Sequence, residues 1–235
     1  MSLAREGVNV VMNGRDADTL ETAVLEVRQA ALGEITGVAC DVTTESGRGQ
    51  LLAACDAPDI LVNNAGGPPP GDFREWDLAQ WNQALNANML TAIMLIKATV
   101  DGMMERNFGR IINITSGSVK APIATLGLSN GTRAGLTGFV AGIARQVSVK
   151  GVTINGILPG PFNTDRLRSG IQFRSEKAGV SFESEFEKGE RANPSGRYGR
   201  PEEFGELCAY LCSVQASYIN AQNILIDGGA YPGTL

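Results

Sequence analysis

The sequence predicts an α/β protein in which a parallel sheet is covered by helices on both faces. Short β-rich apolar runs alternate with longer segments of helical periodicity, and several runs end at asparagine, glycine or small hydroxyl residues. At 235 residues with 43% hydrophobic residues, the chain is long enough to fill one sizeable core. We therefore expect one doubly wound domain over residues 1–235, without internal repeats or low-complexity tracts.

The predicted elements follow one another in the alternation that parallel sheets require. The predicted strands are Val8 to Met12, Ile35 to Cys40, Ile60 to Val62, Ile111 to Ile114, Gly151 to Leu158 and Asn223 to Ile226. The predicted helices run from Asp16 or Asp18 to Ala31, Ser46 to Cys55, Trp76 to about Met104, Leu126 to Val149 and Pro201 to Cys212. Residues 165–195 are richer in charge and lack one clear period, which indicates a mobile helical flap over a substrate cleft.

Composition excludes several classes of function. A formal net charge of -5 argues against a nucleic-acid partner, although the pairs Arg166/Arg168 and Arg197/Arg200 could hold a small anion. No apolar run is long enough to span a bilayer. The chain has no histidine, which excludes a Ser-His-Asp hydrolase and the usual histidine-ligated metal sites.

The four cysteines lack the paired spacing of a zinc site, so we predict no metal. Cys208 and Cys212 would share a helical face, which favours buried packing. No secretory signal is visible at the start of the chain, and free cysteines fit a reducing cytoplasm.

Three motifs follow predicted strands. The run Ile111 to Ile114 stops at Thr115-Ser116, Ile60 to Val62 leads into Asn63-Asn64-Ala65-Gly66, and Gly151 to Leu158 leads into Pro159-Gly160-Pro161-Phe162-Asn163-Thr164. With these motifs the chain resembles the short-chain dehydrogenase/reductases over nearly its whole length. The resemblance implies a Rossmann-like fold and an oxidoreductase acting on a small carbonyl or alcohol, most similar in look to the 3-oxoacyl carrier-protein reductases.

The resemblance also predicts catalytic residues, and here the sequence departs from the family. Ser116 aligns with the hydroxyl that orients the substrate. The family's tyrosine, thirteen residues later, falls on Ser129, and its lysine, four further on, falls on Arg133. A serine hydroxyl is a far weaker acid than a phenol, and an arginine with a pKa above 12 is not expected to donate a proton. Electrostatic stabilisation by Arg133 with a relayed water is one alternative, and Lys120 as proton donor is another.

The cofactor residues come from the same resemblance. Those implied to contact the dinucleotide are Asp41, Val42, Asn64, Ala65, Gly66, Arg133, Pro159, Gly160 and Thr164. Arg15, at the end of the first predicted strand, favours NADP over NAD because a guanidinium matches a phosphate. Asp41 could equally cap a helix, and Asn88 could either hold a water in the proton relay or mark a structural kink.

The beginning of the chain differs from the family pattern. A dinucleotide fold of this kind starts with a strand and a glycine-rich turn, whereas Met1 to Gly7 looks like the last turns of the following helix. We expect the first strand and the turn to be absent, and we favour a truncated sequence over a domain that folds without them. Two neighbouring strands would then keep unpaired backbone groups, which another segment or a partner chain could fill.

The lost tyrosine leaves three hypotheses open. The first is an NADP-dependent oxidoreductase with a non-standard active site. The second is a catalytically silent binding or structural subunit, and the third is a repurposed lyase or isomerase on the same fold. Helices 76–104 and 126–149 resemble the pair through which the family forms dimers, so we expect a homo-oligomer, either a dimer or a tetramer.

Overall fold

Six parallel strands form the sheets in the computed structural model, which describes residues 1–234. The strands are β1 (Val10–Gly14), β2 (Ile35–Ala39), β3 (Ile60–Asn63), β4 (Gly109–Ile114), β5 (Val152–Pro159) and β6 (Asn223–Ile226). β1 pairs with β2, and the other strands form a second sheet in the order β3-β4-β5-β6. All four pairings are parallel, which confirms the predicted fold class.

The helices lie between the strands as the periodicity predicts. They are α1 (Ser2–Arg5), α2 (Ala17–Arg28), α3 (Glu45–Ala53), α4 (Leu78–Leu85), α5 (Thr91–Glu105), α6 (Gly127–Ser148), α7 (Asp165–Ala178), α8 (Phe182–Ala192) and α9 (Pro201–Cys212). The helix predicted from 76 to 104 is interrupted by a π-helical segment, Asn86–Leu90. None of the helices in residues 1–234 has the length and apolarity needed to cross a membrane.

Local chemistry fixes several element ends. Asp16, not Asp18, caps α2, because its carboxylate accepts a hydrogen bond from the Thr19 backbone N–H at 2.8 Å. β1 starts two residues later than predicted because Val8 donates its N–H to the Leu3 carbonyl and so closes α1. That closure passes through Gly7, whose φ of 82° favours glycine.

Three apolar clusters hold the layers together. One lies between α5, α6 and the second sheet and includes Ile96, Ile111, Val140 and Ile154. The opposite face of that sheet packs on α9 through Ile112, Ile157, Leu211, Cys208 and Cys212, so the buried position predicted for both cysteines is confirmed. A third cluster joins α2 to β1 and β2. Successive β4 residues thus point to opposite faces, as a doubly covered sheet requires.

A cleft of about 900 Å³ separates the two sheets. Its walls include Val8 to Val11 on the β1 side and Ile60 to Asn63 on the β3 side. Within residues 1–234, each of these strands has a strand partner on one edge only, so its other edge faces the cleft with unpaired backbone groups, as expected. What occupies the cleft stays a prediction.

Residues 165–195 contain two helices that pack against each other, α7 and α8. The turn between them uses Gly179 in the left-handed region at φ 65°, and Arg174 pairs with Glu185 across the two helices at 3.4 Å. The segment is therefore helical, as predicted. Its mobility and its role over a substrate stay predictions.

Candidate active site

Ser116 lies where β4 gives way to a short 3-10 turn, Gly117–Val119. The half-buried Ser116 has extended backbone, and its Oγ accepts a hydrogen bond from the Ser118 N–H at 3.1 Å. This bond starts the turn but uses only the acceptor side of the hydroxyl. The Ser116 proton remains available for a second group.

Arg133 is the centre of the polar contacts at the carboxyl ends of β3 and β4. It lies in the second turn of α6 and is only 7% exposed. Its Nη1 donates to the carbonyls of Ile114 and Thr115, both at 2.8 Å, and its Nη2 donates to the Ala65 carbonyl at 3.2 Å. One guanidinium therefore joins the chain after β3 to the end of β4.

Ser129 and Arg133, which are predicted to occupy the family's tyrosine and lysine positions, contact each other. Arg133 Nε donates to Ser129 Oγ at 3.2 Å, one helical turn away, and Ser129 is 6% exposed. Because Ser129 Oγ accepts from a cation, the proton on that hydroxyl lies next to a positive charge. The spacing that aligns the pair with the family thus produces a hydrogen-bonded Ser-Arg pair.

Burial changes the acidity expected for Arg133. Removal from water, and secondarily the positive charge of Arg166, lower the pKa of Arg133 from 12.5 to about 10. The pKa of Arg133 is therefore lower than expected from the sequence, but the guanidinium still carries its positive charge at neutral pH.

Asn88 lies in the π-helical segment between α4 and α5. Its Nδ2 donates to the Ala84 carbonyl at 3.3 Å, whereas its buried Oδ1 has no hydrogen-bond partner. A π-bulge widens the helix locally, which fits the kink alternative, and the unpartnered oxygen fits a bound water. The two interpretations of Asn88 are compatible in this geometry.

Pro159, Gly160 and Thr164 line the exit from β5. Gly160 donates its N–H to the Ile226 carbonyl at 2.9 Å, and a Cβ there would lie 2.6 Å from Asp227 Cβ. Thr164 caps α7 by accepting from the Leu167 N–H at 3.4 Å. This loop lies beside the Ser116 turn, since a Cβ at Gly117 would be 3.4 Å from the Pro159 carbonyl.

Arg15 and Asp41 come together at the ends of β1 and β2. Asp41 Oδ1 accepts from the Thr43 N–H at 2.9 Å and from Thr43 Oγ1 at 2.8 Å, so the carboxylate stabilises its own turn. These bonds lower the pKa of Asp41, and the nearby charge of Arg15 lowers it further. The Arg15 side chain is exposed at this end of the small sheet.

The asparagine motif after β3 joins two strands. Asn63 Nδ2 donates to Asn113 Oδ1 at 2.9 Å, which ties β3 to β4. Asn64 and Ala65 line the cleft, together with Val42, Asn88 and Arg133. A Cβ at Gly66 would meet no described atom within 4 Å, so no contact among residues 1–234 explains glycine there.

Several other sequence-based candidates have different surroundings. Arg197 and Arg200 both pair with Glu203, at 2.7 and 3.2 Å, so they are not free to hold an anion as predicted. The ring of Tyr198 packs on Phe186 of α8, and burial raises its pKa, which makes it a poorer acid than a free phenol.

Lys120 is half-buried on the loop after Ser116. Within the described chain no three His, Cys, Asp or Glu side chains are grouped as metal ligands.

Sequence reasoning missed Gly67, which lies against Arg166. Arg166 Nη2 donates to the Gly67 carbonyl at 3.4 Å, and the two residues are 99 positions apart in the chain. No local pattern signals such a contact.

Comparison with known proteins places the chain in a family. Residues 1–231 match the family described as enoyl-(acyl carrier protein) reductase. The chain is 32% identical over 228 residues to the 3-oxoacyl-(acyl-carrier-protein) reductase FabG of Vibrio harveyi, covering 92% of this chain and 88% of that protein.

Solved structures agree with the fold. YwfH, an NADPH-dependent reductase involved in bacilysin biosynthesis, superposes with a TM-score of 0.91 at 26% identity, covering 99% of this chain and 92% of that one. The L-sorbose reductase of Gluconobacter frateurii, solved with NADPH and L-sorbose, gives a TM-score of 0.92 at 26% identity over 99% and 90% of the two chains. From the family match, the shared motifs and the common architecture, we conclude that this chain belongs to the short-chain dehydrogenase/reductase family.

Proposed function

We propose that this chain is an NADP-dependent reductase of small carbonyl compounds, related in chemistry to the 3-oxoacyl reductases, with a Ser129-Arg133 pair in place of the family's tyrosine and lysine. The observation behind the proposal is the hydrogen bond from Arg133 Nε to Ser129 Oγ at 3.2 Å. It supports the proposal because it sets a hydroxyl next to a buried positive charge at the two positions that align with the family's tyrosine and lysine. The NADPH-dependent reductases similar to this chain support the choice of cofactor.

The residues present fit the two ends of a dinucleotide. Arg15 beside Asp41 would hold a ribose phosphate at the end of β1, and the loop from Pro159 to Thr164 would meet the nicotinamide end. The unpartnered Oδ1 of Asn88 in the cleft offers a hydrogen-bond acceptor near Arg133. Bound NADPH would supply the hydride, which is chemistry that no side chain of this protein can provide.

The side chains would manage the charge and the proton. Hydride arrival converts a carbonyl into an alkoxide, so the negative charge develops at the oxygen. In this proposal Ser116 and Ser129 orient that oxygen, Arg133 stabilises its charge through Ser129, and the Ser129 hydroxyl gives up its proton. In this proposal Arg133 keeps its charge throughout, and a relayed water from bulk solvent returns the proton to Ser129.

Steady-state kinetics with NADPH and a panel of small carbonyl substrates test this function. Ser129→Ala should lower kcat by on the order of 10²-fold or more, since general acid catalysis typically contributes that much. Ser148→Ala, an exposed serine at the end of the same helix, is the matched control and should leave kcat unchanged. Turnover that is insensitive to Ser129→Ala would contradict the assigned role.

Cofactor choice has its own test. If Arg15 binds a ribose phosphate, Arg15→Ala should weaken NADPH binding about tenfold and leave NADH binding unchanged, because one charged hydrogen bond contributes about that factor. Arg145→Ala, an exposed arginine on α6, is the control. If the affinities for NADPH and NADH fell by the same factor, Arg15 would not be the residue that binds the ribose phosphate.

A catalytically silent binding subunit is the second candidate, and one observation favours it. The four contacts of Arg133 to Ser129 and to three backbone carbonyls would also stabilise strand ends in a protein that performs no chemistry. The double substitution Ser129→Tyr with Arg133→Lys separates the candidates. A rise in reductase activity from none indicates a decayed reductase, and loss of an existing activity indicates a working Ser-Arg pair.

We also propose a homo-oligomer formed through α5 and α6. The exposed side of α6 presents small residues, Gly131, Ala134, Gly138, Ala141 and Gly142, and α5 with its preceding turn exposes Leu90 and Met94. Small residues let two helix backbones approach closely, and exposed large apolar side chains favour burial. Sedimentation equilibrium should therefore give a dimer or tetramer, and introducing Gly138→Arg should shift it to a smaller species.

A further inference from the structure

β1 and β3 face each other across the cleft of about 900 Å³ that separates the two sheets. In a parallel ladder, successive residues direct their backbone groups to alternate sides of the strand. The Val10 N–H donates to the Glu34 carbonyl at 2.7 Å, so Val10 and Met12 point towards β2. Val11 and Asn13 therefore direct their backbone N–H and C=O groups into the cleft.

β3 presents the same kind of edge from the other side. The Arg110 N–H donates to the Asp59 carbonyl at 2.9 Å, which turns Asp59 and Leu61 towards β4. The alternate residues, Ile60 and Val62, then direct their backbone groups into the cleft. Within residues 1–234 no strand pairs with this edge or with the facing edge of β1. Two rows of unpaired donors and acceptors thus lie opposite each other.

The two edges run in the same direction. Arg106, just after α5, binds Asp59 at the amino end of β3 at 3.2 Å. Asn86, before the other end of α5, donates to the carbonyl of Thr43, which follows β2, at 3.3 Å. The carboxyl ends of β1 and β2 therefore lie at the same end of the molecule as the carboxyl end of β3. One inserted strand can pair with both edges in parallel.

The cleft between the two edges is covered by apolar side chains from both layers of helices. Ala92 of α5 and Leu136 of α6 line it from the cluster on one face of the second sheet. Leu3 and Cys212 line it from the cluster on the opposite face. A strand in this position would be buried on both faces, which requires a continuous apolar run and not an alternating one.

Charge and length restrict the occupant further. The charged residues that line the cleft are Asp59, which is paired with Arg106, and Arg133, which lies past the carboxyl end of β3. The middle of the cleft is therefore uncharged. β1 has five residues and β3 has four, so a matching strand has about five residues and is about 17 Å long. It contains no proline, because each of its N–H groups faces one of the two host strands.

We propose that the cleft binds an extended apolar strand of a separate polypeptide, which pairs in parallel with β1 and β3 and joins the two sheets into one. The apolar runs of residues 1–234 already form β1 to β6 or the buried sides of helices, so none of them is spare. The strand order would become β2-β1-guest-β3-β4-β5-β6. The residues assigned to the dinucleotide, Asn64, Ala65 and Arg133, lie beyond the guest strand, so the strand and a cofactor occupy different parts of the cleft.

Titration calorimetry of the full chain with a synthetic peptide tests the proposal. The probe has the apolar sequence Val-Ile-Val-Leu-Val between two pairs of lysines, with both ends blocked. The matched control is the same peptide N-methylated at the second and fourth apolar residues, which removes the donors directed to one host strand. The probe should bind at least about tenfold more tightly than the control, since each lost hydrogen bond contributes up to about that factor.

Two protein variants locate the binding edge. Val11→Pro removes an N–H that points into the cleft and leaves the ladder to β2 in place, so it should weaken peptide binding at least about tenfold. Ala39→Pro removes an N–H from the outer edge of β2 and should bind the peptide as the parent does, because Cys40 and not Ala39 pairs with β1. Far-UV circular dichroism checks that both variants fold, and the N-methylated peptide decides the question if Val11→Pro does not.

Amide hydrogen exchange and a spin label test the geometry. The bound peptide should protect the amides of Val11, Asn13, Ile60 and Val62, and a nitroxide on its amino terminus should broaden the Asp59 signal more than the Asn63 signal. Absence of binding, equal binding of the two peptides, or the reverse order of broadening would overturn the proposal. Displacement of the peptide by NADPH would also overturn it. So would protection of these amides without peptide that rises with protein concentration, because a second copy would then fill the cleft.

Discussion

Replacing Arg133 by methionine should destabilise the protein, because the arginine joins three backbone segments. Its Nη1 makes two bonds of 2.8 Å to carbonyls, and the bonds to Ala65 and Ser129 are 3.2 Å long. Hydrogen bonds from a charged donor contribute about 1.5–3 kcal/mol each, so the two short ones account for about 3–6 kcal/mol. The longer pair adds about 2 kcal/mol at the neutral-bond value of about 1 kcal/mol each.

Burial of the Arg133 charge opposes the stabilisation that these hydrogen bonds provide. The fall in the pKa of Arg133 from 12.5 to about 10 corresponds to about 3 kcal/mol, at about 1.4 kcal/mol per pKa unit. Methionine removes both the bonds and this penalty. The free energy of unfolding of Arg133→Met should therefore fall by about 2–5 kcal/mol, which lowers Tm by roughly 5–15 °C in a domain of this size.

Urea and thermal unfolding at neutral pH measure this change. Arg166→Gln is the matched control, since it removes an exposed guanidinium from the same site and should change stability by less than about 0.5 kcal/mol. A methionine variant as stable as the parent would refute the reasoning. It would mean that the carbonyl bonds only offset the burial of the charge, as happens for some buried ion pairs.

Three further predictions concern other parts of the site and fold. Asn88→Ala removes one long hydrogen bond and one unpartnered buried oxygen, so the free energy of unfolding should change by less than about 1 kcal/mol. If Asn88 holds a relay water, kcat should fall while KM stays constant. An unchanged kcat would exclude the relay role. Gly160→Ala should lower the free energy of unfolding by about 1–3 kcal/mol, because the new Cβ would lie 2.8 Å from Asp227 Cα. A variant that unfolds in urea at the same concentration as the parent would contradict this. Hydrogen bonds from Arg197, and then Arg200, lower the pKa of Glu203 from 4.5 to about 2, so this stabilisation is full above pH 4.5 and is lost as pH falls towards 2. Glu203→Gln should therefore flatten the dependence of Tm on pH in that interval, and an unaltered acid slope would show that solvent screens the pairing.

The sequence was sufficient for the fold class because its signals are local. The alternation of strand and helix, the cap at Asp16 and the start of α9 at Pro201 depend on residues within a few positions of one another. The motif after β3 and the residues aligned with the catalytic serine, tyrosine and lysine also depend on spacing alone. The sequence offers a structural kink at Asn88 only as one of two alternatives, and it does not indicate the π-helical geometry that the segment adopts.

The tertiary structure decided which polar groups meet. Ser129 and Arg133 are one helical turn apart, so their contact follows from the sequence. The bond from Arg133 to Ala65, 68 positions earlier, and the burial that lowers the pKa of Arg133 do not. Arg197 and Arg200 are predicted by the sequence to hold an anion, but the folded chain pairs both of them with Glu203. The contact between Gly67 and Arg166, 99 positions apart, had no local signal in the sequence. Local patterns fix elements and their ends, whereas burial and charge pairing depend on which strand ends and helices pack together, and that is set only when the chain folds.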